Sequence, residues 1–228
     1  MKVKVVVVIP AFNEEQSIEF VLRDIPRDLV DRVIVVDNNS LDKTAECAKR
    51  EGAHVVHEPN RGYGNACLAG MRYAKQFKPD VVVFLDGDYS DHPQEMNALI
   101  DKIKENYDIV VGSRTLGKAE PGALLPQAKF GNRLAAFLIK ILFGFQYTDL
   151  GPFRAIKWNK LLELEMGDPT FGWTVEMQIK AVKRGLRIAE VPVSYRARIG
   201  VSKITGTFSG TVKAGYKILW TIFRYALI

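Results

Sequence analysis

An α/β protein with a mostly parallel sheet and helices on both faces is what this sequence predicts, on three observations. Five short apolar runs alternate with helical patterns up to residue 115, the mark of βαβ units. The first run, Val3 to Ile9, is apolar at every position, as in a strand buried on both faces. Three runs end in polar clusters, at residues 10–14, 37–40 and 86–88, and in open α/β sheets ligands bind beyond the carboxyl ends of the strands.

Taken in order, Val3 to Ile9 is the first strand. Asn13 to Leu22 is a helix behind an Asn cap, with Ile18, Val21 and Leu22 at helical spacing. Val33 to Val36 is a strand and Asp42 to Arg50 a helix. His54 to Val56 is a short strand, followed by a helix through Ala66, Ala69, Gly70 and Tyr73. Val81 to Leu85, a helix over Pro93 to Lys104, and Asp108 to Val111 complete the alternation. Leu116 to Gln127 carries Gly and Pro breakers without periodicity and is predicted as a loop. Phe130 to Gly144 is a helix with Phe130, Leu134, Phe137, Leu138, Ile141, Leu142 and Phe145 forming a broad apolar face. Gly151 to Ile156 and Arg187 to Tyr195 are strands around a helix at Thr174 to Arg184. After a Gly/Ser/Thr loop at 196–210, an amphipathic helix at Thr211 to Ile228 ends the chain. No repeat or linker divides the sequence, so one domain over 1–228 is expected, with halves at 1–115 and 116–228.

The 228 residues contain 47% hydrophobic and 25% charged residues, which excludes a disordered chain. The net charge of +6 conceals an asymmetry. Residues 1–115 hold 15 Lys/Arg and 19 Asp/Glu, a balance of −4, whereas residues 116–228 hold 17 and 7, a balance of +10. The basic half calls for an anionic partner. Cys47 and Cys67 have no metal or redox spacing. The first apolar run ends at Pro10 without a small-residue cleavage site, unlike a secretory leader, and no run reaches the roughly 20 apolar residues of a bilayer span. A soluble or peripheral protein in a reducing compartment is expected.

Asp86-Gly87-Asp88 follows a buried strand. Two carboxylates at a strand end suit a hard divalent cation, held together with substrate phosphates. Asp37, at the end of the second strand, is available to a base or ribose donor, while Ser40 or Asp42 caps the next helix. Pro10 to Glu14 is a strand-to-helix turn. Arg61-Gly62-Tyr63-Gly64 lacks the third glycine of a dinucleotide fingerprint and follows the wrong strand, which excludes NAD.

These segments resemble the family-2 glycosyltransferases of GT-A fold, in the branch of dolichyl- and polyprenyl-phosphate mannosyl- and glucosyltransferases. The resemblance rests on Pro10-Ala11-Phe12-Asn13-Glu14, Val35-Val36-Asp37 with Ser40 and Asp42, and Asn60-Arg61-Gly62. It continues through Asp86-Gly87-Asp88 with His92-Pro93, Gly112-Ser113-Arg114, Thr148-Asp149-Leu150-Gly151 with Phe153-Arg154, and Gly200-Val201-Ser202-Lys203. It implies a Rossmann-like GT-A sheet and transfer of a hexose from UDP- or GDP-hexose to a polyprenyl phosphate, with inversion and with Mg²⁺ or Mn²⁺. By position, Glu14 and Asp37 resemble the base and ribose contacts, Asp86 and Asp88 the metal pair, and Arg114 the active-site arginine that meets phosphate. Arg198 and Lys203 match a basic loop near the acceptor. Asn38 replaces the second acid of the commoner Val-Asp-Asp pair, which weakens that base contact, and Lys129, a poorer bidentate phosphate ligand than Arg, stands where relatives often have Arg.

The substrate-binding set expected is therefore Pro10, Ala11, Asn13, Glu14, Asp37, Arg61, Gly62, Asp86, Gly87, Lys129, Arg154, Glu176, Arg198 and Lys203, with Asp88, Asp149 and Arg114 catalytic. Transfer to a hydroxyl needs a general base, and Asp149 and Glu176 are the candidates in the second half; Asp149 is equally placed to orient Arg154 or the acceptor. Transfer to a lipid phosphate needs none, because a monoester with second pKa near 6 is largely dianionic at pH 7. Two other readings stay open: a sugar or other hydroxyl acceptor, and a non-catalytic nucleotide-sugar-binding module. The closing helix, with Lys213, Lys217 and Arg224 among aromatics, is either an interfacial membrane element or packs back on the protein. A peripheral position at the inner face of the cell membrane is the expected location, and nucleic acid is not an expected partner.

Overall fold

The computed structural model describes residues 3–200 and 208–227. β1 (Val5–Ala11) leads into α1 (Ile18–Asp24), then β2 (Arg32–Asp37), α2 (Thr44–Arg50), β3 (His54–His57) and α3 (Tyr63–Ala74). β4 (Val81–Phe84), α4 (Met96–Lys104), β5 (Ile109–Ser113) and α5 (Pro126–Phe143) follow. β6 (Arg154–Lys157), α6 (Trp158–Glu163), α7 (Trp173–Lys183), β7 (Ile188–Pro192) and α8 (Phe208–Leu227) complete the chain. The seven strands form one sheet in the order β3-β2-β1-β4-β6-β5-β7. β1 is parallel to β2 and β4, and β5 is parallel to β7. β6 alone among these strands runs the other way, antiparallel to β4 and to β5.

Period-two alternation explains the layers. Val5, Val7 and Ile9 face α1, α2 and α4 with Ile18, Leu22, Leu99 and Ile100. Val6 and Val8 face the other way, onto α3 and α7 with Ala66, Cys67, Trp173 and Met177. Because both faces are covered, β1 is buried at all seven positions, and its sequence shows no polar alternation. Gly70 lets α3 lie on the sheet: a Cβ there would stand 2.3 Å from Val8 Cγ1.

At the far edge, Asp108 joins three strands. It accepts from the Arg187 backbone N–H at 3.0 Å and from Lys157 Nζ at 3.0 Å. Burial pushes its carboxyl up, but those bonds outweigh it and the net shift is downward.

Four features differ from the sequence reading. α1 begins at Ile18, and Asn13 adopts a left-handed φ of 55° instead of capping it. Its Oδ1 accepts from the Leu41 N–H at 2.8 Å. Leu125 and Pro126 open α5 early, with proline at its first turn. α6, six residues long, is too short to show a periodicity.

The fourth difference concerns which side of α5 faces inward. Its buried residues are the small Ala135 and Ala136 with Ile139. Of the predicted bulky face, Phe130, Phe137, Ile141 and Leu142 are exposed instead, while Leu138 and Phe145 pack partly buried against that side. Close packing against α7 and α8 selects the small side. α8 contributes Ile222 to the same cluster as Ile139, Val175 and Ile179, so it packs back on the protein while Tyr216, Trp220, Phe223 and Leu227 stay exposed. Among the described residues, no helix is long and apolar enough to cross a membrane.

Candidate active site

The parallel strands β1, β2, β4 and β5 deliver their carboxyl ends to one edge of the sheet, and a cavity of about 270 Å³ opens there. Its wall takes Pro10, Ala11, Phe12 and Glu14 from β1 and the turn after it, Asn38 from the end of β2, and Arg61, Gly62, Tyr63 and Ala66 from the start of α3. Asp86, Gly87 and Asp88 follow β4, and Phe171 and Arg198 close the wall from the second half of the chain. The acidic half therefore meets the basic half at this point.

The turn after β4 is shaped by its own side chains. Asp88 Oδ1 accepts from the Ser90 N–H at 2.9 Å and from Ser90 Oγ at 2.5 Å. Asp91 Oδ2 accepts from the Asp86 N–H at 3.3 Å, and Tyr89 takes a left-handed φ of 65°. Ser17 Oγ donates to the Gly87 carbonyl at 2.8 Å, tying the turn to the start of α1. Arg198 spans two carboxylates, with its NH1 group 3.0 Å from Asp88 Oδ2 and its NH2 group 3.1 Å from Glu14 Oε1.

Three acids in a buried turn repel one another. Burial first, then Asp88 and Asp91, push the Asp86 carboxyl well above the usual range. Burial and Asp88 likewise raise Asp91 to about 7. Asp86 Oδ1 and Asp91 Oδ1 are buried without a hydrogen-bond partner. Hard carboxylate oxygens left unpaired at a strand end fit Mg²⁺ or Mn²⁺. Among the described residues no group of three or more His, Cys, Asp or Glu is arranged to hold an ion by itself.

A second polar cluster lies beyond β5. Asp149 Oδ2 accepts from the Arg114 backbone N–H and from its Nε, each at 2.8 Å, while Oδ1 accepts from the NH2 group at 2.8 Å and from the Leu150 N–H at 2.7 Å. The pair is buried, with the Asp149 side chain 2% and the Arg114 side chain 16% exposed. Burial pulls the Arg114 guanidinium down, yet attraction to Asp149 and hydrogen bonding with it prevail, and the net shift is upward. Glu190 holds the turn from beneath, accepting from the Thr148 and Asp149 N–H groups.

Of the residues expected from the sequence, Pro10, Ala11, Glu14, Arg61, Gly62, Asp86, Gly87, Asp88 and Arg198 share the cavity wall. Others are elsewhere. Asp149 is committed to Arg114, so it offers no free carboxylate as a base and does not orient Arg154. Arg154 is fully buried under α7, donating to the Thr174 and Gly151 carbonyls, because the register of β6 sets it opposite Phe84 and Val111 inside the sheet. Glu176 is 1% exposed and accepts from the Gly167 and Asp168 N–H groups, behind the cavity and not in it. Lys129 is exposed near the start of α5. Asp37 is turned to the Ser40 N–H at 3.1 Å and to His57 Nδ1 at 3.1 Å. Its neighbour Asn38 reaches the wall, donating to the Glu58 and Asn60 carbonyls and accepting from the Gly62 N–H. Asn13 lies outside the wall, and Lys203 lies outside the described residues. Tyr63, Asp91 and Phe171 are not in the set expected from the sequence, and Asn38 is noted there only as a replacement that weakens the base contact. A third acid three residues beyond Asp88 was a usable signal for Asp91; Phe171, distant along the chain, had none.

The architecture is that of a GT-A glycosyltransferase. It is similar to the crystal structure of glucosyl-3-phosphoglycerate synthase from Mycobacterium tuberculosis in complex with Mn²⁺ and UDP-glucose, with a TM-score of 0.76 and 26% identity over 99% of this chain and 79% of that one. Residues 6–161 match the family model described as Glycosyl transferase family 2, and the chain belongs to that family. It is 35% identical over 218 residues to the dolichyl-phosphate hexose transferase of Haloferax volcanii, covering 93% of this chain and 91% of that protein. It is 29% identical over 220 residues to the undecaprenyl-phosphate mannosyltransferase of Micrococcus luteus, covering 91% and 90%. The protein is thus an enzyme of the glycosyltransferase class.

Proposed function

We propose that this glycosyltransferase moves a hexose from a UDP- or GDP-linked sugar to a polyprenyl phosphate at the inner face of the cell membrane. The observation that carries the acceptor is that both candidate bases, Asp149 and Glu176, have their carboxylates engaged by other groups of the protein. A hydroxyl acceptor needs a base, whereas a phosphate monoester arrives already ionised. The names of the Haloferax and Micrococcus relatives support the same class of acceptor.

The donor enters the cavity with its base and ribose against Pro10, Ala11, Glu14 and Asn38. Its diphosphate lies toward Asp86 and Asp88. A divalent cation bound there supplies neutralisation of charge on the departing nucleoside diphosphate. Arg198, which lines the same wall paired with Asp88 and Glu14, is a cation assigned here to meet phosphate. Arg114, fixed in position by Asp149 and stacked over the Tyr195 ring at 5.0 Å, presents a rigid guanidinium toward the acceptor side. The phosphate oxygen of the lipid attacks the anomeric carbon, the bond from that carbon to the donor phosphate breaks, and the configuration inverts.

The exposed apolar side chains of α5 and α8 form the surface for the lipid. Phe130 is 69% exposed, Trp220 53% and Leu227 89%, with the exposed Lys129, Arg133, Lys140, Lys213 and Arg224 on the same two helices. A basic, aromatic surface of this kind suits an anionic bilayer interface.

The assay is transfer of labelled sugar from UDP- and GDP-hexoses to a short polyprenyl phosphate, with the unphosphorylated polyprenol and 3-phosphoglycerate as competing acceptors. Transfer is expected to the polyprenyl phosphate alone, to require Mg²⁺ or Mn²⁺, and to fall on the order of 10²-fold or more in Asp88→Ala. Preferred transfer to phosphoglycerate or another hydroxyl would establish the second reading, which the likeness to glucosyl-3-phosphoglycerate synthase favours.

A further inference from the structure

One wall of the cavity depends on a segment distant in sequence from the others. Phe171 belongs to residues 165–172, between α6 and α7. This segment is pressed against the start of α3. The Asn65 N–H donates to the Pro169 carbonyl at 2.9 Å. A Cβ at Gly64 would stand 1.9 Å from the Asp168 carbonyl oxygen, and one at Gly62 2.3 Å from that of Pro169. The contact is backbone against backbone, with no flexible side chain to yield, so a shift of the segment moves the Gly62–Tyr63 wall with it.

From the opposite side the segment is held by α7 and α8. Glu176 accepts from the Asp168 N–H at 2.7 Å, from the Gly167 N–H at 3.1 Å, and from the Tyr225 hydroxyl at 2.7 Å. Lys217 Nζ pairs with Asp168 Oδ2 at 2.7 Å. A Cβ at Gly172 would stand 2.5 Å from both Asp168 Oδ2 and Thr221 Oγ1. Tyr225, Lys217 and Thr221 all belong to α8, the helix whose outer side carries Trp220 and Phe223.

We propose that Lys217 and Tyr225 are positioning residues for the donor: acting through Asp168 and Glu176, α8 fixes segment 165–172 and thereby the Phe171 and Gly62–Tyr63 wall of the cavity. The inference rests on reading that cavity as the nucleotide-sugar site. It makes the helix proposed to meet the lipid also a support of the donor pocket, and it assigns Glu176 a role as the anchor of a wall.

The test is titration of the full chain with UDP and with GDP in the presence of Mn²⁺, alongside steady-state transfer kinetics. Tyr225→Phe removes one hydroxyl from a carboxylate with other donors, and Lys217→Met removes one ion pair. Each is expected to weaken nucleoside diphosphate binding roughly threefold to tenfold, the size of one charged hydrogen bond partly expressed in binding. KM for the donor should rise by the same factor, with kcat at saturating donor changed by less than about twofold. Lys217→Arg should restore binding. Wild-type affinity in both variants, or a fall confined to kcat, would overturn the proposal. If the unaltered protein binds neither diphosphate, the donor-site reading itself fails, an outcome separate from equal binding by all variants.

Discussion

Asp149→Asn separates a structural carboxylate from a catalytic base. The substitution keeps the size of the side chain and one carbonyl oxygen, but it removes the negative charge and turns an amide toward the Arg114 guanidinium. Three bonds of 2.8 Å from Arg114 depend on the carboxylate. Breaking a buried pair by neutralising one partner costs about 3–5 kcal/mol, because the other charge is left uncompensated. Arg114 keeps 16% of its side-chain surface in water, which favours the lower end, about 3 kcal/mol. For a chain of this length each kcal/mol lowers Tm by ~2–4 °C, so a fall of ~6–12 °C is expected in thermal unfolding followed by circular dichroism. Transfer to a polyprenyl phosphate, assayed well below the new Tm, should be reduced in proportion to the misplacement of Arg114 and not abolished. An unchanged Tm together with complete loss of transfer would refute the reasoning, since it would mean that Asp149 acts on the substrate and not on Arg114.

Two further outcomes test other parts of the molecule. Trp220→Ser combined with Phe223→Ser should weaken co-sedimentation with phosphatidylglycerol vesicles on the order of 10- to 10²-fold, since each side chain is about half exposed and contributes about half of the roughly 1.5–3 kcal/mol of a fully withdrawn one; undiminished sedimentation would rule out α8 as the contact. For Asp108 the folded carboxyl is depressed below its ordinary range, so its contribution to stability is present above the unfolded pKa and is lost as the pH falls through the folded one. Asp108→Asn should accordingly lower Tm at pH 7, with the difference from wild type shrinking below about pH 4; a difference independent of pH would disprove the assignment.

The sheet and the acidic turn were legible because they are local. A strand buried on both faces must be apolar throughout, and Val5 to Ile9 are; a carboxylate pair after such a strand is placed at the sheet edge by chain connectivity alone. The reversed direction of β6 was not legible, since strand polarity is decided by pairing with β4 and β5, far away in sequence. The same limit explains Arg154 and Glu176. Charge in a basic half looked like ligand-binding charge, but register and helix packing enclosed both side chains. Asp37 and Asn38 differ by one position, and a period of two sends only one of them to the cavity wall. On α5 the sequence shows where the apolar residues are, while the choice of the small side as the inner one depends on how closely α7 and α8 approach.

The reversed strand also acts as a ruler. β4, which leads to Asp86 and Asp88, and β5, which leads to Arg114, are not neighbours; β6 lies between them. Hydrogen-bonded strands stand about 4.8 Å apart, so one intervening strand sets the two chain ends at a spacing of roughly 10 Å. Backbone pairing thereby determines the distance between the carboxylate turn and the arginine. No exchange of side chains around the cavity alters that interval, which the pairing of β6 with β4 and β5 holds fixed.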